Sequence, residues 1–447
     1  MKRRKQWIAL MMLFVFFCAD FSVLAAEVVQ IPANDSDSVY YQSVDSNALE
    51  GWAQGPQIYC ESGIVMDMDS GAILYAKNID DPHYPASITK VLTALVALEN
   101  SELTDVVQVK KEDVDFLEPG DSYVGLKPGE EITMEDALHA VLLASANEAS
   151  HAVASSMEGG YEHFLQLMND KVKELGGKNS NFTNTHGLHD ENHYTSARDM
   201  ALIGAAAFQN EDFYRITNTL QYTIPVTNIT NETRTFQQNH KMLYKWRTQY
   251  YEYCEGGKTG YTDQALNTLV TFAVKEDVRL VAVVMRARGN VNAYGDTQKI
   301  LDYAFENFSK IPVTSDMAKA KGITSVDAGA YVMLPEGIGL EQLESTVEMP
   351  TEIGDKTGRI IYTYGGQPVG EIGMTISDAY YNEIHGIEEK KEEKPEETKK
   401  RSVWFIFLQV VLWIVIIAFF LFVLLLVYVH YKRRQIRKRR RLRRKNP

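Results

Sequence analysis

The sequence predicts an α/β domain, then a small all-β domain, then a C-terminal transmembrane helix. Three observations carry this expectation. Helical patterns are enclosed between an early and a late pair of strand patterns, so one sheet is built from both ends of the segment. Past Ile311 the chain turns to short β-like runs separated by turn residues. From Val403 to Val429 it is apolar and uncharged, long enough to cross a bilayer even when tilted.

The chain has 447 residues, 45% of them hydrophobic, enough for two domains and a large core. Residues 1–26 have the layout of a signal peptide: Lys2, Arg3, Arg4 and Lys5, an apolar run from Trp7 to Phe17, and the small-residue site Val23-Leu24-Ala25-Ala26. Cys18 follows Val15-Phe16-Phe17, a poor lipobox, so cleavage without lipidation is expected. Residues 27–57 are polar and aperiodic and read as a loosely ordered lead-in, with folding expected to begin near Ile58.

The α/β segment is expected over 58–310. Ile64-Val65-Met66-Asp67 and Ala72-Ile73-Leu74-Tyr75 flank turn residues and predict a hairpin. Pro85 opens a helix through Val91–Leu98, and Glu135–Ala144 and Glu148–Met157 predict two more. Ala265–Val274 and Val278–Met285 predict a second hairpin, followed by a helix over about Thr297–Phe308.

The β domain is expected over 311–382, from Tyr331-Val332-Met333-Leu334, Arg359-Ile360-Ile361-Tyr362 and Val369–Ile376. Residues 383–402, rich in Glu and Lys, predict a solvated spacer; 403–429 the membrane helix; 430–447 a basic tail. Lys432–Lys445 holds eleven Lys and Arg and no acid, which predicts a cytoplasmic tail and an extracellular body on a single-pass protein of the cell membrane. Without those bases, the four signal-peptide bases and Asp20, the body carries about −27. That charge argues against a nucleic-acid partner.

Three motifs carry chemistry. In Ser87-Ile88-Thr89-Lys90 the spacing of three puts hydroxyl and amine on one helical face, at the positive N-terminal end of the helix. Ser145-Ala146-Asn147 lies between two helical patterns, where a plain polar turn would also be read. Gly256-Gly257-Lys258-Thr259-Gly260-Tyr261-Thr262 runs into a strand; its glycines let another backbone approach, and Lys258 and Thr259 suit a terminal carboxylate. Each motif alone is weak, but the ordered set Ser-x-x-Lys, Ser-x-Asn, Lys-Thr-Gly is specific to β-lactamases and penicillin-binding proteins.

With these motifs the chain resembles the low-molecular-mass penicillin-binding proteins of the serine D-alanyl-D-alanine carboxypeptidase family, over roughly residues 57–382. Pro85–Lys90, Leu143–Ala149, His193–Met200, Asn239-His240-Lys241-Met242-Leu243 and Gly257–Gly260 all look like that family. The resemblance implies a β-lactamase/transpeptidase-like catalytic domain, helices with an antiparallel sheet. It implies hydrolysis of the terminal D-alanine of peptidoglycan pentapeptide stems, in cell-wall synthesis and remodelling, with β-lactam antibiotics as covalent inhibitors. Ser87 would be the nucleophile, Lys90 its base, and Ser145 the proton donor to the leaving amine. Asn147 would hold Lys90 and the substrate amide, Lys258 and Thr259 the carboxylate, and the N–H groups of Ser87 and Tyr261 the oxyanion. No metal and no cofactor are implied.

Alternatives are a β-lactamase, for which a second carboxylate base is wanted, and a weakly active penicillin-binding scaffold. Lys356-Thr357-Gly358 repeats the third motif without its flanks and is expected to be a chance turn. His186, His189 and His193 with Asp190 and Glu191 resemble a metal cluster but match no strict ligand spacing. The family often has a basic residue just before the last hairpin's following helix; Asn290–Tyr294 has none, and Arg286 or Arg288 is the expected substitute. Cys60 and Cys254, the cysteines left after signal cleavage, are expected to form a disulfide.

Overall fold

Asp67 closes the first hairpin. Its Oδ1 accepts from Ser70 N at 2.8 Å and Ser70 Oγ at 2.7 Å, turning β1 (Ser62–Asp67) back into β2 (Ile73–Lys77). The computed structural model describes residues 36–318, 321–349, 354–387 and 403–443. The expected signal peptide, most of the spacer and the last four tail residues lie outside them.

The helices follow the apolar spacing: α1 (Thr89–Asn100), α2 (Met134–His139, continued by a π-helical turn to Ala144), α3 (Asn147–Ser156), α4 (Gly160–Glu174), α5 (Ala197–Gln209) and α6 (Glu211–Asn218). Caps fix several starts. Thr133 and Asp136 form a capping box on α2, and Ser196 Oγ accepts from Asp199 N on α5.

Three long strands then complete the sheet: β3 (Cys254–Thr262), β4 (Leu266–Lys275) and β5 (Val278–Ala287). The order is β2-β1-β5-β4-β3, antiparallel throughout, so the first hairpin joins the last and β3 is an edge. The sheet is covered on both faces. Val270, Phe272 and Val281 face α5 at Gly204, while α7 (Asn290–Asn307) sets Ile300 near Gly63 on the opposite face. The helix expected from Thr297 thus begins seven residues earlier, because Ala293 and Tyr294 are buried against the sheet.

Beyond α7, β6 (Phe308–Pro312) pairs with β8 (Tyr331–Pro335), and β7 (Ile323–Val326), β9 (Glu344–Glu348), β10 (Thr357–Tyr364) and β11 (Gln367–Ile376) form a sheet in the order β7-β11-β10-β9. These strands bond to the first hairpin: Glu371 N donates to Ser70 O and Gln367 Nε2 to Ile73 O, both at 2.7 Å. By contacts they belong to one compact unit ending at Tyr380, and the boundary expected at 310/311 falls inside β6.

Two expectations are corrected. The lead-in is not loosely ordered over its described part. Trp52 is buried, donates from Nε1 to Leu74 O and packs on Phe308 and Tyr364; the buried Lys77 ammonium donates to Val39 O, Ile58 O and Cys60 O. Nor do Cys60 and Cys254 form a disulfide: both are free and buried. Cys60 lies two residues before β1, and β5 and β4 stand between β1 and β3, about 14 Å at ordinary strand spacing. A disulfide tolerates at most about 7 Å between Cα atoms.

The second unit, Tyr381–Pro447, contains α8 (Val403–Arg443). Within it, Trp404–Arg437 is long and apolar enough to cross a membrane.

Candidate active site

Ser87 sits in a 3-10 turn, Ala86–Ile88, that runs into α1. Ala86 takes φ +51°, a left-handed conformation costing a non-glycine residue about 1–3 kcal/mol unless its surroundings enforce it. They do. Gly187 passes so close that a Cβ there would stand 1.9 Å from Ala86 O, and a Cβ at Gly260 on β3 would stand 2.9 Å from Ser87 N. Only glycine permits both approaches, and they clamp Ser87 between a loop and the edge strand.

Lys90 lies one turn on, fully buried. Its Nζ is 3.1 Å from Ser87 Oγ, 2.7 Å from Asn147 Oδ1 and 2.6 Å from the main-chain oxygen of His186. The two carbonyl oxygens can only accept. A neutral amine spends its two N–H bonds on them, which leaves its lone pair for the Ser87 hydroxyl. Burial holds Lys90 well below the usual lysine range, and the charge of Lys258 pushes the same way.

Ser145 ends the π-helical turn in a left-handed conformation, φ +63°, and Asn147 then begins α3. This reversal points Asn147 at Lys90 and Ser145 at Lys258, whose Nζ donates to Ser145 Oγ at 3.0 Å and to Thr259 O at 2.8 Å. Lys258 is buried in β3, and burial pushes its pKa down to about 7. Ser87, Ser145, Thr259 and Tyr261 line one cavity of about 260 Å³, while Lys90, Asn147 and Lys258 form a buried layer behind them. All seven residues singled out in the sequence thus meet at one place.

The decoys separate. Lys356 pairs with Asp378 Oδ1 at the small sheet. His186 stacks on Phe116, the His193 ring lies 2.8 Å from Thr89 Oγ1 and accepts from Thr183 N, and His189 meets Tyr84 edge-on. Their rings thus face separate partners; what the site takes from this loop is the His186 carbonyl.

Sequence reasoning missed that carbonyl, and also Ser122, Asn239, Asn290 and Tyr294 of the cavity wall. Ser122 had one indirect signal, the acid following Asn147. Glu148 Oε1 accepts from the main-chain N–H groups of Val124 and Gly125, and Asn147 N donates to Ser122 O, tying that loop to the start of α3. Asn239 stands in a stretch that resembles the family, but Asn290 reaches the site through tertiary packing alone.

A family model for D-alanyl-D-alanine carboxypeptidase matches residues 50–289. The D-alanyl-D-alanine carboxypeptidase DacF of Bacillus subtilis is 33% identical over 334 residues, 70% of this chain and 83% of that protein. DacA of Haemophilus influenzae, of the same description, is 28% identical over 75% of this chain and 88% of its own length. Among solved structures, a D-alanyl-D-alanine carboxypeptidase of Mycobacterium tuberculosis is 30% identical with a TM-score of 0.53, covering 58% of this chain and 95% of that one. The Streptomyces K15 DD-transpeptidase is 26% identical with a TM-score of 0.53, covering 57% and 100%.

Proposed function

The chain belongs to the D-alanyl-D-alanine carboxypeptidase family, and from that premise we propose that Ser87, Lys90 and Ser145 perform the family's reaction in the cavity on the β3 edge. The enzyme is a serine hydrolase that removes the terminal D-alanine of cell-wall peptides. The peptide adds to the unpaired edge of β3 as an extended strand. Lys90 takes the Ser87 proton as Oγ bonds to the carbonyl carbon of the penultimate residue, and the N–H groups of Ser87 and Tyr261 hold the oxyanion. The C–N bond breaks as Ser145, bonded to Lys258, passes its proton to the leaving amine and takes in its place the proton held by Lys90, which is thereby neutral again. Water then attacks the ester, its proton passing to Lys90, and Oγ leaves with a proton returned. Lys258 and Thr259 hold the substrate carboxylate, and Asn147 orients Lys90.

One observation carries this assignment: the Lys90 amine faces two acceptor-only oxygens and one hydroxyl. The residues lining the cavity include no carboxylate, so the second base wanted for a β-lactamase is not among them. Penicillins acylate Ser87 and inhibit. A C-terminal helix anchors the protein in the membrane; the signal-like N-terminus and the basic tail support an exported body and a cytoplasmic C-terminus.

The test is release of D-alanine from a D-Ala-D-Ala peptide, alongside covalent labelling by a fluorescent penicillin. Ser87→Ala abolishes both. Labelling that survives in Ser87→Ala would overturn the mechanism.

A further inference from the structure

A substrate ending in a carboxylate approaches this protein against its overall field, because the body outside the basic segments carries about −27. Local cations must offset that repulsion, yet every side chain lining the cavity is neutral. The site's two lysines are buried behind it, and Lys258 is already bonded to Ser145 Oγ and Thr259 O. Arg286, one of the two substitutes expected from the sequence, is engaged elsewhere: Nε donates to Glu61 Oε2 at 2.9 Å and Nη1 to Gln264 O.

Part of the cavity wall comes from the start of α7, through Asn290, Ala293 and Tyr294. Lys241 is fixed to this wall twice. Its main-chain N–H donates to Tyr294 Oη at 2.9 Å; its ammonium lies 5.8 Å from the centre of the Tyr294 ring and 3.5 Å from Asn290 Oδ1. The last contact is at the outer limit of a hydrogen bond, and an ammonium has three donors. The charge is therefore lightly held beside two residues of the cavity wall, near the positive end of an 18-residue helix.

We propose that Lys241 is a specificity-determining residue, its ammonium leaving Asn290 to join Lys258 and Thr259 at the C-terminal carboxylate of the bound peptide. The proposal rests on the reading of this cavity as the peptide site. Lys241 touches no reacting atom, and its pairing is made equally in the bound substrate and the transition state. Its loss therefore raises KM and leaves kcat nearly alone.

The experiment compares full-length wild type, Lys241→Gln and Lys241→Arg on diacetyl-L-lysyl-D-alanyl-D-alanine and on the same peptide with a C-terminal amide. Wild type prefers the free acid. In Lys241→Gln, KM for the acid rises about threefold to tenfold, the preference over the amide shrinks by the same factor, and its sensitivity to salt falls; Lys241→Arg restores all three. An unchanged preference, or a loss of kcat on both substrates that arginine does not restore, overturns the role of Lys241. Failure of wild type to release D-alanine or D-alaninamide overturns the peptide-site reading as well, and is seen before any variant is compared.

Discussion

At the scale of residues, the proposed mechanism needs two lysines in different states. Lys90 faces carbonyl oxygens and a hydroxyl and is held by burial well below the usual lysine range, whereas Lys258 faces Ser145 and Thr259 with its pKa pushed down to about 7. The base needs the neutral form and the carboxylate holder the charged one, so kcat/KM rises with pH while Lys90 deprotonates and falls as pH passes about 7. Lys258→Met removes the descending limb; a profile that keeps it shows that another group titrates there. Stability shifts in the opposite sense. Between about pH 7 and the usual lysine range the unfolded chain binds a proton at Lys258 that the folded chain does not, so that site adds stability as pH rises through the window. The two Lys-Thr-Gly lysines give a second contrast. Lys258→Ala slows penicillin acylation by about a hundredfold, the scale of losing one preorganised donor, while Lys356→Ala, whose partner is Asp378 at the small sheet, changes the rate little. Equal losses would place the site in the wrong part of the chain.

At the scale of elements, the sequence was most readable where one element carries its own signal. The Ser87 helix, the hairpin of β1 and β2 and the long strands β4 and β5 each show their apolar period or turn residues locally, and each forms close to its expected limits. The Ser-x-x-Lys, Ser-x-Asn and Lys-Thr-Gly motifs were readable as a set because each is contiguous in sequence, the first two at the starts of α1 and α3 and the third within β3. What was not readable depends on partners far along the chain. Trp52 lies in a polar stretch with no period, and its ring is buried by Phe308 and Tyr364, more than 250 residues away. Asn290 and Lys241 become neighbours only when α7 folds over the sheet. The cysteines misled because position before a strand says nothing of which strands intervene. Trp52→Ala tests the corrected lead-in: it costs about 3–5 kcal/mol of stability, the usual range for a buried tryptophan, and lowers the unfolding midpoint in denaturant. A change within about 0.5 kcal/mol, as for a surface residue, restores the view that folding begins near Ile58.

At the scale of the whole molecule, the chain divides its charge and its apolar surface by segment. The compact unit to Tyr380 buries its core under a strongly acidic body, while α8 exposes Trp, Phe, Leu, Ile and Val side chains along most of the stretch from Trp404 to Val429. Such a surface is stable only when lipid or protein covers it, and a span from Trp404 to Arg437 exceeds the ~20 residues that a bilayer needs. A cluster of bases such as Lys432–Lys445 favours the cytoplasmic side of a membrane, which is the basis of the proposed orientation. A body outside and a tail inside therefore require that the Glu- and Lys-rich spacer be reachable from outside. Protease added to intact protoplasts cuts there, releases a soluble fragment that still binds penicillin, and leaves an epitope placed after Pro447 protected until the membrane is opened. The active fragment is expected because every site residue precedes Tyr380. Digestion of the epitope in intact protoplasts, with the penicillin-binding body protected, reverses the orientation. Release of body and tail together shows that α8 lies against another protein rather than across the bilayer.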